Sequence, residues 1–296
     1  MKSKNTILMV VNPISGDLDK SESIEAVKDY CEINNLSLAT FFTTGEDDMA
    51  EIRKLYNTHK PERVIIVGGD GTIKLVADIL QNEDVIFGII PAGSANGLSV
   101  DLDFSKVLED NIITAFEADP IQIDMVCING QKSLHLSDIG LNAELIKNYE
   151  NSGIRGKMGY VLQSINTLTD QELPFNAIIK TADDVVEVNS KMIVVANSQK
   201  YGTGIVINPI GHLNDGEFEI VIIKNLNFVV FSKIVLGNMP LESEDDVIII
   251  STSSATIETD VPVHFQIDGE YLGLTKSLEI KILEKSFKLA VPSNLP

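Results

Sequence analysis

Short apolar runs alternate with amphipathic stretches through the first third of the chain. Ile7–Val11, Leu36–Thr43, Val64–Val67 and Val85–Ile90 read as strands. Val64–Val67 is unrelieved by polar residues, as expected for a strand buried on both faces. Between them, Ser21–Asn34 carries Ile24, Val27, Tyr30 and Cys31 at spacings of three and four, which predicts a helix. Asp48–His59 predicts a second helix, broken before Pro61, and Ile73–Gln81 a third. Strand–helix alternation at this spacing implies a doubly wound parallel sheet with helices on both faces. Ligands bind such sheets at the carboxyl ends of the strands.

After about Asp119-Pro120 the pattern changes. Ile121–Ile128, Ser133–Leu136, Ala177–Lys180, Val185–Val188, Lys191–Asn197, Glu217–Ile223, Ile248–Ser251 and Val263–Ile267 read as strands. Gly159–Thr169 and Phe228–Leu236 are the helical stretches among them. Many strands with few helices predict an antiparallel sandwich or barrel. The expected organisation is an α/β domain over residues 1–122 and a mostly β domain over residues 123–284, with a cleft between them. A tail, residues 285–296, returns to the first domain.

Composition narrows the partners. The 296 residues are 44% hydrophobic and 22% charged, ordinary for a globular protein. A formal charge of −20 should repel nucleic acid, whose binding depends on cations that neutralise phosphates. Anionic lipid head groups should also repel it on average. The exception is Lys147–Lys157, where Lys147, Arg155 and Lys157 face Glu150 alone. No window approaches the roughly 20 apolar residues of a membrane span. Ile7–Val11 stops at Asn12-Pro13, short of a secretory core of roughly 7–15 residues, and reads as a strand. Cys31 and Cys127 form no framework, and both fall in segments that read as buried. A reduced cytoplasmic setting is expected.

Gly68-Gly69-Asp70-Gly71-Thr72 lies between a buried strand and a helix. Glycines there let the backbone approach a ligand, and the helix amides and dipole favour an anion. Asp70 would be repelled by phosphate, so it orients loop amides or reaches a phosphate-bound magnesium through water. No Gly-Lys-Ser/Thr ends this loop, and the spacing is not that of dinucleotide folds.

Four segments are in register with one family. Asn12-Pro13-Ile14-Ser15-Gly16, the Gly68–Thr72 loop, Pro91-Ala92-Gly93-Ser94-Ala95-Asn96 and Asp268-Gly269-Glu270 resemble the diacylglycerol kinase catalytic-domain family, most closely its soluble bacterial lipid kinases. The likeness covers nearly the whole chain, including Gly153–Tyr160 and Tyr201–Phe218. It implies an ATP-dependent lipid kinase with Mg2+, built from an NAD-kinase-like nucleotide-binding domain and a β-sandwich-like lipid-substrate domain. The nucleotide site would comprise Asn12 to Gly16, Thr43, Gly68 to Thr72, Ser94 and Asn96. Asp268 or Glu270 would be the general base, a choice the sequence leaves open, with Asp70 and Asp124 in the active-site network. A structural magnesium would be bound by the Asp215 carboxylate and main-chain carbonyls near His212 and Glu217. The resemblance also implies a homodimer and transient membrane contact, for which Ile154, Met158 and Tyr160 beside Arg155 and Lys157 are candidates.

Two positions depart from the family pattern. Lys74 stands where Asn is common, and Gly97 where an aspartate follows the Asn. Lys74 either adds a phosphate contact or lies on a solvated helix face. Gly97 removes one carboxylate from the acidic network. Two rival readings are an NAD kinase and a nucleotide- or lipid-binding regulator without catalysis. Against the first, the pair Asn82-Glu83 precedes a strand and is misplaced for a nucleoside.

Overall fold

The computed structural model describes residues 6–17, 19–94, 96–141, 143, 174–200, 206–225 and 246–293. The expected helices Gly159–Thr169 and Phe228–Leu236, the basic segment Lys147–Lys157 and the membrane-contact candidates lie outside the described residues. The chain divides into two compact units, Met1–Ile123 with Lys285–Pro296, and Asp124–Glu284.

In the first unit, β1 (Thr6–Val11), β2 (Ser37–Phe42), β3 (Arg63–Gly68) and β4 (Ile86–Pro91) form a parallel sheet in the order β2-β1-β3-β4. The end of the last strand of the chain adds a further parallel partner, with Lys288 opposite Ile86 and Leu289 opposite Phe87. Helices α1 (Ser21–Ile33), α2 (Asp48–His59) and α3 (Asp70–Leu80) make the crossovers. Alternate residues of the buried strands serve opposite faces. Met9, Val11, Ile65, Val67 and Ile90 pack with Val27 and Cys31 of α1. On the other face, α2 and α3 lie against each other and against β1 and β3. β1 sends its chain to β2 on one side and is flanked by β3 on the other, so the sheet's switch point lies between β1 and β3.

Two helices here were not expected: α4 (Gly97–Asp101) and α5 (Leu108–Glu117). The stripe Ile112, Ala115 and Phe116 joins the α1 core, and Phe116 stacks on Tyr30 with centroids 4.1 Å apart. Arg63 closes the carboxyl end of α5, donating to the carbonyls of Ala115 and Ala118 at 3.0 Å each. A guanidinium there complements the helix dipole and satisfies two end carbonyls.

The second unit is mostly antiparallel. Its strands are β5 (Pro120–Ile128, shared with the first unit), β6 (Gln131–Ser133), β7 (Leu136–Gly140), β8 (Phe175–Thr181), β9 (Val185–Ser190), β10 (Met192–Ala196), β11 (Phe218–Ile223), β12 (Val247–Thr252), β13 (Ser254–Ile267) and β14 (Glu270–Ala290). The order β12-β11-β10-β7-β13-β14 forms one run, with the β8–β9 hairpin on the early part of β13. An irregularity between Glu258 and Val263 lets β13 pair with β8 before it and with β7 after it. Ile193 and Val195 of β10 face one core cluster, and Met192 and Val194 face another. Burial on both faces explains the unbroken apolar run of β10 and the run Ile220–Ile223 of β11.

The expected strand Ser133–Leu136 is broken in the middle: Ser133 ends β6, Leu136 begins β7, and Leu134 and His135 turn between them. The Leu134 and His135 amides are drawn off to the side chain of Asp268 rather than to a neighbouring strand. β13 begins well before the expected Val263, and β14 was not anticipated. Cys31 is buried, whereas Cys127 is only half-buried. Among the described residues no helix is long and apolar enough to cross a membrane.

Candidate active site

The loops after β1, β3 and β4 leave the sheet side by side. The Asn12 amide donates to the Val67 carbonyl at 3.1 Å, and the Ala92 amide to the Gly68 carbonyl at 2.8 Å. Ser15 Oγ donates to the Ala92 carbonyl at 3.0 Å, tying the first loop to the third. Asn12 Oδ1 accepts from the Ile14 amide at 3.2 Å, which tightens the turn and leaves Pro13 and Ile14 exposed. Three glycines then meet backbone to backbone. A Cβ on Gly93 would lie 2.5 Å from Gly69 Cα, and one on Gly16 would lie 2.8 Å from the Gly93 carbonyl carbon. Gly16 also has φ +69°, which disfavours any side chain.

Within this junction, the residues singled out from the sequence separate by role. Asp70 turns its carboxylate toward α4: Oδ2 accepts from the Gly97 amide at 2.6 Å and Oδ1 from the Leu98 amide at 3.0 Å. It therefore orients amides, those of the following loop rather than its own. Asn96 has φ 55° and folds onto Gly93, accepting from its amide at 2.7 Å and donating to its carbonyl at 3.0 Å. Ser94 is exposed at the tip. Gly71 and Thr72 lie in the first turn of α3, where the Thr72 amide already donates to the Gly69 carbonyl at 2.9 Å and the amides before it have no intrahelical acceptor. Thr72 is buried, and its Oγ1 has no hydrogen-bond partner. A buried hydroxyl without a partner beside helix amides is a place for a polar ligand atom. Lys74, half-buried, lies one turn further along α3.

Thr43 follows β2, is buried, and donates its amide to the Val11 carbonyl at 2.8 Å. The loop beyond it is held by Asp48, which accepts from the amides of Thr44 at 2.8 Å and Gly45 at 2.9 Å. Burial acts to raise the Asp48 pKa, but the hydrogen bonds from Thr44 and Gly45 outweigh it and hold the carboxyl below its ordinary value.

In the second unit, Asp268 and Gly269 form the two-residue turn between β13 and β14, with φ 50° and 86°. Positive φ at both central positions suits the twist of a tight hairpin and favours Asp-Gly. The Asp268 carboxylate is gripped by the β6–β7 turn. Oδ1 accepts from Ser133 Oγ at 2.8 Å and the His135 amide at 3.0 Å, and Oδ2 from the Leu134 amide at 3.0 Å. Gln266 grips the other residue, its Oε1 accepting from the Gly269 amide at 2.7 Å while Nε2 donates to the buried Asp138. Glu270 is exposed at the head of β14. The triplet thus presents one anchored and one exposed carboxylate. No local pattern marks Ser133, His135, Asp138 or Gln266, because their link to the hairpin spans more than a hundred residues of chain except for Gln266 itself.

Asp124 is buried and organises the loop before β11. Its amide donates to the Leu213 carbonyl at 2.8 Å, and its Oδ2 accepts from the Gly216 amide at 2.9 Å. Asn197 Nδ2 donates to the Asp124 carbonyl at 2.9 Å. His212, Asp215 and Glu217 are exposed on that loop, and Asp215 Oδ1 accepts from the Glu217 amide at 3.1 Å. No group of three or more His, Cys, Asp or Glu side chains able to hold a metal occurs among the described residues. A cation here would depend on the Asp215 carboxylate and main-chain carbonyls, a hard-oxygen donor set that fits magnesium.

Glu219, at the start of β11, is buried between Asn208 Nδ2 and Ser251 Oγ. Burial raises its pKa above the ordinary 4.5 despite hydrogen bonds from Asn208 and Ser251, and the charges of Asp215 and Glu217 act in the same direction as burial. The folded state thus holds this proton more tightly than the unfolded chain does. Its contribution to stability is complete below pH 4.5 and is lost as pH rises through the folded-state value. Glu219→Gln should therefore gain stability relative to the parent at neutral and alkaline pH but not at acid pH. Urea midpoints measured across that range check this.

A family model described as the diacylglycerol kinase catalytic domain matches residues 6–128. A second, described as the YegS C-terminal NAD kinase beta sandwich-like domain, matches residues 138–290. The chain is 26% identical over 281 residues to a protein of Bacillus subtilis (strain 168) named diacylglycerol kinase, covering 90% of each. It is 24% identical over 242 residues to the "Probable lipid kinase YegS" of Escherichia coli (strain K12 / DH10B), covering 79% of each. A crystal structure titled as a diacylglycerol kinase from Bacillus anthracis str. Sterne superposes with a TM-score of 0.76 at 19% identity, over 100% of both chains, and shares the fold. The chain belongs to the diacylglycerol kinase catalytic-domain family, with a YegS-type β domain at its carboxyl side.

Proposed function

We propose that this protein is a magnesium-dependent lipid kinase that transfers the γ-phosphate of ATP to the hydroxyl of a lipid alcohol such as diacylglycerol. The observation that carries this reading is the glycine junction. Three loops at the carboxyl ends of parallel strands are pinned together without side chains between them, beside the amino end of α3 and the unpartnered Thr72 hydroxyl. Such a surface admits a phosphate against backbone amides. Magnesium bound to the nucleotide supplies charge neutralisation and a template for the phosphates. Asn12 to Gly16, Gly68 to Thr72, Ser94 and Asn96 shape the phosphate side, with Thr43 on the flanking strand. Asp70 holds α4 in place behind them.

A carboxylate of Asp268-Gly269-Glu270 accepts the proton of the lipid hydroxyl as it attacks phosphorus. Asp268 is held by three donors, so the hairpin keeps one geometry while Glu270 stays open to an acceptor. Asp124 holds the loop of Asp215, where a second magnesium would be structural and outside the reaction. The lipid is met at a membrane surface by transient contact. The test is transfer of label from [γ-32P]ATP, with and without magnesium, to diacylglycerol, monoacylglycerol, phosphatidylglycerol, sphingoid bases and polyprenols presented in mixed micelles. Magnesium-dependent labelling of at least one lipid is expected. Labelling of NAD instead would overturn the acceptor class, and ATP binding without transfer to any acceptor would overturn the kinase reading.

A further inference from the structure

β2 is the outer strand of the first unit's sheet, and among the described residues it pairs with β1 alone. The Thr43 amide donates to the Val11 carbonyl, and backbone groups alternate in direction along a strand. Ser37, Ala39 and Phe41 therefore turn theirs inward to β1, while Leu38, Thr40 and Phe42 turn theirs outward. Natural edges are blunted against further pairing by charge, proline or a bulge. Ser37-Leu38-Ala39-Thr40-Phe41-Phe42 has none of these, in a chain that is 22% charged and carries −20 overall. A second strand can add here without bringing two acidic surfaces face to face in the ladder.

The outward residues also match one another. Side chains alternate along a strand, so Leu38, Thr40 and Phe42 share one face, and Leu38 packs there against the core that includes α1. Phe42 is 48% exposed at one end of that row. At the other end lies a cavity of about 350 Å3, lined by Lys28, Cys31 and Glu32 of α1 and by Asn35, Leu36 and Leu38. An antiparallel copy of β2, related by a two-fold axis at Thr40, sets Thr40 opposite itself and Phe42 opposite Leu38. Each Phe42 ring then comes over the cavity of the other copy, and the match is made twice, as an isologous contact requires. The same register uses Leu38, Thr40 and Phe42 of both copies as hydrogen-bonded pairs.

We propose that the β2 edge is a homodimer interface: a second copy of this chain pairs antiparallel across Thr40 and seats its Phe42 in the cavity beside Leu38. The parallel sheets of the two first units become one continuous sheet. Six-residue strands at about 3.3 Å per residue give a contact roughly 20 Å long, at the small end of specific interfaces. The dimer is therefore reversible, with a dissociation constant in the micromolar range. The interface stands apart from the nucleotide reading, and its test uses neither nucleotide nor lipid.

The experiment is sedimentation equilibrium of the full-length protein from low to several hundred micromolar, with a thermal melt of every variant. The parent should pass from monomer to dimer within that range. Thr40→Lys sets two like charges opposite each other on the axis and should raise the dissociation constant roughly tenfold or more. Phe42→Ala leaves the cavity unfilled and should raise it about tenfold. Ile113→Lys changes an exposed apolar residue on α5 and should leave it unaltered. In the proposed register the two Thr40 Cα atoms lie about 5.5 Å apart, within disulfide range. Oxidised Thr40→Cys should therefore run as a covalent dimer. Oxidised Ser37→Cys, which the register sets opposite Thr43 rather than its own copy, should not. Nor should the parent, whose Cys31 is buried and Cys127 half-buried. A parent that stays monomeric at every concentration would overturn the proposal. A dimer untouched by Thr40→Lys, or a Thr40→Cys protein that gives no crosslink, would move the contact to another surface and overturn it as well. Should Thr40→Lys melt far below the parent, the smaller change Thr40→Cys decides by its crosslink alone.

Discussion

Glu270→Gln is expected to lower the rate of lipid phosphorylation roughly 100- to 10,000-fold, the range for loss of a general base, with no change in melting temperature. The side chain is exposed at the head of β14, so the isosteric amide disturbs no buried contact. Asp268→Asn should behave differently. One amide atom can still accept from Ser133 and the His135 amide, but the other then presents a donor to the Leu134 amide. Leaving that amide unsatisfied costs about 1–3 kcal/mol, so this variant should lose stability as well as activity. Measured together, steady-state rates and thermal melts assign the proton. A slow, fully stable Glu270→Gln makes Glu270 the base, and an active one makes Asp268 the base. Unimpaired lipid phosphorylation by both variants would remove the hairpin from the reaction.

Gly93→Ala is expected to destabilise the first unit by about 1–3 kcal/mol and to abolish stabilisation by ATP. The new Cβ would fall 2.5 Å from Gly69 Cα and 2.8 Å from Asn96 Oδ1, closer than real contacts allow. A flexible side chain could swing aside, but the Gly69 backbone cannot move without shifting the first turn of α3. The damage should therefore reach the phosphate surface itself. Gly71→Ala is the stability control. Nothing lies within 4 Å of its Cβ position and its φ is not positive, so the change in stability should stay within about 0.5 kcal/mol. Melting curves with and without ATP distinguish the two, and a Gly93→Ala protein that is stabilised by ATP as the parent is would contradict the junction's role.

Much of this architecture was legible in local patterns. The four first-unit strands and the helices Ser21–Ile33 and Asp48–His59 were readable because buried parallel strands are apolar throughout and amphipathic helices repeat every three to four residues. α5 carried the same signal in Ile112, Ala115 and Phe116 and could have been found. β14 alternates over Leu278, Ile280 and their polar neighbours, yet its length exceeds what a strand pattern usually sustains. The strand expected over Ser133–Leu136 failed for a different cause. Its apolar residues are buried, but the Leu134 and His135 amides at its centre are used by the Asp268 side chain from the far end of the chain.

The Gly68–Thr72 loop, the Asn-Pro turn and the Asp-Gly-Glu hairpin are determined by the sequence alone, because each needs particular residues within a few positions. Left-handed φ at Asp268 and Gly269 is a local demand that leaves a local mark, whereas the bare backbone at Gly69 and Gly93 leaves glycines in the sequence for a contact only the fold makes. Only the tertiary structure decided what those motifs do with their side chains. It turned Asp70 to the amides of α4 and gripped Asp268 with the β6–β7 turn. Hydrogen bonds of this kind join residues far apart in sequence, and burial decides whether a charge is solvated or must find a partner. Neither quantity is a property of any short stretch of chain.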